Sequence, residues 1–430
     1  MPLKKVITIH KIKLLFFFFA IIFIYFFKPV YDYLGHMGQV PLSPFGWSNV
    51  PSNAPVTEQL YNSHYRDAAN QILSSMEKYR SSLGAASYSV AVGVDGELVW
   101  SGAVGWSNVK NNIKATPQTI YRIGSTSKSI TGLALARLVE DGLIDLDETL
   151  DVYLETMPNE QWAEITPRML ASHMSGLSHY AQQGVEKDYW GLYQTSTLSK
   201  HYDDMFEALE VFDGTSLRNA PGEEFHYSSQ GTILLGAVIS AVTDKPYFQV
   251  VQDEVLTPNF MTSTIVSPTK SDGSNDIATS YLNRNKDGIR QVKEWRPVDL
   301  SHRLPGGGFA STSSDMVLMG IATMNSSYID SETMKDFWTP QSLNNGEVNI
   351  QNYALGWRYS ELELEGLGKV KSAHHGGVSR GAQSWLLVFP DLEIVISINA
   401  NIRTESFGDF GLLYQDVLRT IYKNKKVDDE

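Results

Sequence analysis

The run Ser125-Thr126-Ser127-Lys128 sets a nucleophile and a base three residues apart. Three is a helical spacing, so at a helix start both side chains share one face and the lysine amine reaches the serine hydroxyl. To take the hydroxyl proton the amine must be neutral. Desolvation and the positive end of a helix both lower a lysine pKa, and the same helix end favours an oxyanion formed at Ser125. Four residues of such common types carry little weight alone, and the rest of the chain must supply the context.

A second candidate nucleophile is Ser379, because Gly377-Val378-Ser379-Arg380-Gly381 satisfies the Gly-x-Ser-x-Gly elbow. That elbow needs a strand before, a helix after, and an acid and then a histidine downstream. Here a strand-like run follows and no histidine occurs after His375, so Ser379 reads as a decoy. His374-His375, His173 and His179 form no compact ligand pattern of the His-Glu-x-x-His kind, and His179 and His226 receive no role. Gly306-Gly307-Gly308 lacks the lysine and spacing of a phosphate loop and reads as a backbone turn. Tyr189, Trp190 and Tyr193 are suited to lining a pocket, although aromatic clusters are more often core. No metal or organic cofactor is implied.

The elements that must position these residues come from both ends of the chain. Tyr88 to Gly102 alternates around Asp95-Gly96, a hairpin turn pair, and Ser384–Phe389 and Ile394–Ile398 are apolar runs joined by a second turn. Helical periodicity marks Tyr65–Tyr79, Ser129–Asp141, Thr232–Val242 and Phe410–Tyr422. Strands at both ends and helices between them predict an α/β (α+β) domain, an antiparallel sheet flanked by helices with an inserted, mostly helical subdomain and the pocket between them.

The 430 residues, 42% of them apolar, suffice for a sizeable core. A formal charge of -13 gives no basic surface for phosphate backbones and argues against nucleic-acid partners. With no cysteine there is no disulfide, thiolate site or cysteine nucleophile.

The N-terminus is distinct. Residues 1–13 form a basic, cytoplasmic N-terminus with Lys4, Lys5, Lys11 and Lys13, and 14–30 a membrane signal anchor around the apolar run Leu14–Phe27 closed by Lys28-Pro29. No small-residue cleavage site follows, so the anchor reads as retained, with the body of the protein periplasmic or otherwise extracytoplasmic. Residues 31–57, with Pro41, Pro44, Pro51 and Pro55, read as an extended stalk, and 58–425 as the catalytic domain.

Five blocks in order carry a resemblance. Ile123–Leu154 (IGSTSKSITGLALARLVEDGLIDLDETLDVYL), Ile165–Leu177 (ITPRMLASHMSGL), Pro221–Gly236 (PGEEFHYSSQGTILLG), Gly306–Asp315 and His374–Asn399 together resemble the serine beta-lactamase and penicillin-binding protein superfamily. The similarity is greatest to the class C-like branch, which includes esterases, D-amino-acid peptidases and mitochondrial beta-lactamase-like proteins. The resemblance implies the beta-lactamase/transpeptidase-like fold and an acyl-enzyme on Ser125, with Lys128 as base and Tyr227 passing a proton to the leaving group. It also implies an oxyanion hole from the backbone N–H groups of Ser125 and Gly377, and a structural hydrogen bond for His173. Ser229 stands where lactamases usually have Asn, and a hydroxyl cannot give the two donors of an amide to a substrate.

The Lys-Thr-Gly motif of the lactamases is matched by His374-His375-Gly376, and the resemblance makes Ser229, His374, His375 and Gly376 the candidate substrate-binding residues, with His374 taken to contact substrate. An imidazole is mostly neutral where a lysine is charged, which favours an ester or amide substrate, small-molecule or peptide, over a beta-lactam. A D-Ala-D-Ala carboxypeptidase or beta-lactamase, a penicillin-binding protein that keeps its adduct, and a catalytically silent membrane-tethered scaffold of the same fold are the other readings. Nothing in the sequence fixes an oligomeric state.

Overall fold

In this computed structural model residues 3–36, 38–179, 200–269, 276–404 and 406–426 are described. Tyr189, Trp190 and Tyr193 lie outside them. The chain divides into a unit of residues 1–46 with 181–199 and a compact unit of residues 47–180 with 200–430.

In the first unit, helix α1 spans Leu3–His36, and its Lys13–His36 portion is long and apolar enough to cross a membrane. The expected break at Lys28-Pro29 does not occur. Pro29 removes one intrahelical donor but holds φ near the helical value, so the helix runs on for seven residues beyond it. The segment expected as an extended stalk is thus helical as far as His36, and the expected boundary at Glu58 falls inside a strand, β1 (Val56–Leu60).

The second unit is built on an eight-stranded antiparallel sheet. After helix α2 (Arg66–Leu83), ended by Gly84 at φ +66°, come β2 (Ser87–Val94) and β3 (Glu97–Asn108). Their hairpin turns at Asp95 and Gly96, both with positive φ as a two-residue turn of this kind requires. Near the C-terminus lie β4 (Arg358–Leu364), β5 (Gly368–Ser379), β6 (Ala382–Phe389) and β7 (Ile394–Ala400). The order is β4-β5-β6-β7-β2-β3-β1, with a two-residue strand Ile113–Lys114 against β3. β7 pairs with β2 in the register Ile396↔Val92, which joins the two ends of the chain.

Both faces of this sheet are covered. Along β7, Ile394, Ile396 and Ile398 enter one apolar cluster with Ile72 and Met76 of α2 and with Val417, Leu418 and Ile421 of the C-terminal helix Leu413–Lys426. The alternate residues meet the inserted region: a Cβ on Gly320, in the helix Ser313–Ala322, would lie 2.5 Å from Val395 Cγ1. Burial on both sides explains why β7 reads as a continuous apolar run.

Between β3 and β4 lies the mostly helical insertion. Helix α3 (Ser127–Glu140) and helix α4 (Ser229–Thr243) carry small and apolar residues on nearly every face and are buried for most of their lengths, as befits core helices rather than amphipathic covers. A short ribbon, Tyr121–Arg122 paired with Phe309–Ser311, ties the start of α3 to the glycine turn at 306–308. Ile396 sits at the centre of the sheet with no exposed surface. Ile396→Ala should therefore lower the unfolding free energy by about 2–5 kcal/mol, read as a lower urea midpoint with an unchanged slope.

Candidate active site

Ser125 occupies the middle of a single 3-10 turn, Gly124–Thr126, that runs directly into α3. Gly124 has φ +52°, and a Cβ there would meet the Val378 carbonyl oxygen at 2.6 Å, so the turn requires glycine for its conformation and for the approach of β5. Ser127 locks the turn from behind: its hydroxyl donates to Gly124 O at 2.7 Å and accepts from Phe309 N–H at 3.3 Å. Ser127 is therefore structural, while Ser125 remains half-exposed.

One turn on, Lys128 is 1% exposed. Its amine donates to Ser229 Oγ at 2.8 Å and to Gly306 O at 2.6 Å, and lies 5.0 Å from the centre of the Tyr227 ring. A Cβ on Gly306 would sit 3.5 Å from that amine, so the glycine keeps the carbonyl close. No carboxylate pairs with Lys128 among the described residues. Burial, aided by the charges of Arg303 and Arg358, holds its pKa well below the ordinary lysine value. A deprotonated amine has two N–H groups and one lone pair. Both N–H groups are spent on Ser229 and Gly306, which leaves the lone pair for a proton from a neighbouring hydroxyl.

Tyr227 and Ser229 stand at the start of α4. Ser228 caps it, accepting from Gly231 N–H at 3.1 Å and donating to Ser178 O at 2.6 Å. Two histidines brace the same turn: His173 Nδ1 accepts from Ser228 N–H at 3.3 Å and His179 Nδ1 from Ser229 N–H at 3.1 Å. Burial depresses both imidazoles, His179 to about 3, so both are neutral acceptors. His173 holds φ +63° and packs its ring 4.3 Å from that of Tyr227. The His226 ring instead pairs with Glu224 at 2.8 Å, while its backbone N–H donates to His173 O at 2.9 Å.

β5 forms the facing wall, and its alternation divides the histidine pair. His375 points towards Lys128 and Tyr227, with its ring centre 6.4 Å from that of Tyr227. Its Nδ1 lies 2.8 Å from Gly376 O, which can only accept, so Nδ1 carries the proton and Nε2 accepts from the Tyr353 hydroxyl at 2.8 Å. Burial keeps this imidazole neutral. His374 points to the other face, where Nδ1 accepts from the Trp385 indole N–H at 3.3 Å and Nε2 lies 3.1 Å from Ser360 Oγ. Burial and Arg358 push its pKa down to about 4. Of the two candidate substrate-binding histidines, His375 brings its ring into the cluster, and the His374 ring, bound to Trp385 and Ser360, does not.

Gly376 and Gly377 follow the same alternation. A Cβ on Gly376 would lie 2.4 Å from the Phe407 ring, and one on Gly377 would lie 1.9 Å from Ile123 O and 2.8 Å from Thr126 N. The Gly377-Val378 backbone is thus pressed directly against the Ser125 turn. Ser379 ends β5 and is followed by a tight turn at Gly381, φ +78°, and then β6, so strand, turn and strand surround it and no helix begins there.

Several residues that sequence reading passes over join the cluster. Tyr353 packs on His173, Tyr227 and His375, and Arg358 lies over the rings of Tyr227 and Tyr353. Neither belongs to a motif. His179 has only one sequence signal, its position two residues after the His-x-Ser-Gly-Leu turn.

A family model described as Beta-lactamase matches residues 72–418. The chain is 26% identical over 394 residues to the human mitochondrial serine beta-lactamase-like protein LACTB, covering 74% of this chain and 71% of that one. It is 24% identical over 320 residues to Protein flp of Staphylococcus aureus, covering 74% and 60% respectively. Among solved structures, D-amino acid amidase from Ochrobactrum anthropi superposes with a TM-score of 0.65 at 22% identity, covering 83% of this chain and 99% of that one. A penicillin-binding protein from Bacillus halodurans superposes with a TM-score of 0.62 at 22% identity, covering 82% and 98%.

The contact between β5 and the Ser125 turn leaves no room for a methyl group. Gly377→Ala should cost about 1–3 kcal/mol and displace the turn, read as a lower melting temperature together with slower acylation. Val378→Ala, at a side chain 41% exposed, should change stability by less than about 0.5 kcal/mol.

Proposed function

The chain belongs to the beta-lactamase family, and from that premise we propose that it is a membrane-tethered serine hydrolase that opens ester or amide bonds through an acyl-enzyme on Ser125. The reading rests on one observation above others: a buried lysine amine, one helical turn from a half-exposed serine, with both its N–H groups occupied and its pKa held low. An amine in that state is a base.

Ser125 Oγ attacks the carbonyl carbon and its proton passes to Lys128. The carbonyl oxygen, now negative, is held by the backbone N–H groups of Ser125 and Gly377. Tyr227, whose ring lies beside the amine, passes a proton to the departing oxygen or nitrogen as the C–O or C–N bond breaks. Water then attacks the acyl carbon, gives its proton to the Lys128–Tyr227 pair, and Ser125 leaves as a hydroxyl. Ser229 holds Lys128 in place, a use of that position which a hydroxyl fulfils as well as an amide does. The neutral state of His375 supports esters or amides as substrates ahead of beta-lactams. Helix α1, with Lys11 and Lys13 before its apolar run, supports a tether that leaves the domain extracytoplasmic.

The nucleophile is tested with an aryl ester. Ser125→Ala should abolish both turnover and the acyl adduct seen by intact mass, whereas Ser379→Ala should retain them; the opposite pattern overturns the assignment. A lasting adduct without turnover would identify a penicillin-binding role, and neither product nor adduct a silent scaffold. Only the deprotonated amine accepts a proton, so kcat/KM should fall as pH drops through the lowered pKa of Lys128, losing about tenfold per pH unit below it. Lys128→Arg, protonated at every accessible pH, should lose most activity across the whole range.

A further inference from the structure

Beside the ribbon that leads into the Ser125 turn lies a cavity of about 470 Å³, the size of a small-molecule site. None of its described lining residues belongs to the Lys128–Tyr227 cluster. Its charge is uneven, because Lys110, Arg122 and Arg296 line it against one acid among the described lining residues, the exposed Glu294. Arg122 is half-buried, and every partner its guanidinium has among the described residues is a neutral oxygen. Nε donates to Ser267 Oγ at 3.1 Å, Nη2 to Pro268 O at 2.9 Å and Thr269 O at 3.2 Å, and Nη1 to Arg380 O at 3.4 Å. Burial and the charge of Arg380 lower its pKa to about 10, which leaves it charged at neutral pH. A partly desolvated charge served by dipoles alone gains from an anion placed beside it. The rest of the wall is apolar at Ile277, Trp295 and Pro297.

Arg122 also joins two pieces of backbone that meet at Ser125. It stands two residues before Gly124, and its Nη1 reaches the Arg380 carbonyl in the turn that follows β5, the strand whose Val378 carbonyl abuts Gly124. At 3.4 Å that bond is the longest of the four, and the one an anion most readily displaces. We propose that this cavity is an effector site for a small monocarboxylate with an apolar body, held by Arg122 and Lys110, and that its occupancy slows turnover at Ser125. Chemistry selects the ligand: the cations take the carboxylate, the apolar wall takes the body, and Glu294 with that wall disfavours a multiply charged anion. Connectivity carries the effect, because an anion that draws Nη1 away from Arg380 O frees the turn that presses β5 onto Gly124. The binding stands without the hydrolase reading, and the effect on turnover rests on it.

The probes are 4-fluorobenzoate and its neutral counterpart 4-fluorobenzamide, titrated against the full chain in detergent micelles and followed by fluorine NMR. The acid should bind with a Kd of about 1 mM or tighter, and at least about tenfold more tightly than the amide. Arg122→Gln should lower that acid-to-amide ratio at least about fivefold, and Lys110→Gln, at an exposed side chain, about two- to fivefold. Each ratio is taken within one preparation, so partial misfolding cancels from it, and Lys110→Gln carries the test if Arg122→Gln does not fold. Ser125→Ala should bind the acid as the wild type does. In turnover of a neutral aryl ester, saturating 4-fluorobenzoate should lower kcat at least about fivefold, the low end of ordinary coupling between sites, and Lys110→Gln should need more acid for the same loss. An acid-to-amide ratio near 1, a ratio unchanged in both variants, or purely competitive inhibition of the ester overturns the proposal while Ser125-dependent turnover stands. Turnover that survives Ser125→Ala instead overturns the hydrolase reading and the claimed effect on Ser125, and leaves the binding site standing.

Discussion

A lysine amine buried with no carboxylate partner among the described residues is the constraint on which the rest of this architecture turns. In the unfolded chain Lys128 is protonated near neutral pH, and its ordinary pKa is about 10.4. Folding lowers that value, so each unit of lowering costs about 1.4 kcal/mol of stability at any pH below both values, and the cost vanishes above the unfolded pKa. Something must hold the amine in place against that cost. The surrounding glycines do so by letting backbone come close: Gly306 offers its carbonyl, and a Cβ on Gly356 would lie 2.7 Å from Lys128 O, so the 355–356 loop packs on the helix backbone itself.

The same logic explains why α3 is buried on nearly every face. A helix that carries a buried amine must be sealed from water around it, and the sealing comes from α4, from the 304–308 turn and from β5. α4 is in turn fixed at its start by His173 and His179, two neutral imidazoles that accept backbone N–H groups. Neutral histidines suit a place where a further positive charge would repel Arg303 and Arg358. The sheet supplies the rigid side: β5 is held by β4 from Gly368 to His374 and by β6 from Ala373 to Ser379, and its end past His374 abuts the Ser125 turn.

Local motifs were legible in the sequence wherever a short-range rule governs them. The Asp95-Gly96 hairpin and the helix after Ser125 each follow from residues within a few positions of one another. The parity of β5 was not. Whether His374 or His375 faces Lys128 depends on pairing register, and a shift of one residue exchanges the faces of a strand. Tyr353 and Arg358 were equally hidden, since they reach Tyr227 across more than a hundred residues of chain and only the assembled sheet brings them there. The N-terminal boundary misled for a different reason: proline was read as a stop, whereas one missing donor does not end a helix with this much apolar length on both sides.

The parity of that histidine pair also bears on what kind of site this is. Had His374 faced inward with its Nε2 free, it could have gained a proton near pH 6 and stood in for the lysine of the lactamases. Instead His375 faces inward with both nitrogens committed, one to its own strand and one to a buried tyrosine. Protonating it would reverse the Tyr353 bond, with the hydroxyl as acceptor, and place a charge beside Lys128 and Arg358, so the wall stays neutral. A site so arranged keeps its one buried amine apart from the side chains that stay charged. On the proposed reading Lys128 exchanges protons because burial lowers its pKa and no carboxylate pairs with it among the described residues, while the permanent charge sits on guanidiniums that cannot compete with it for protons.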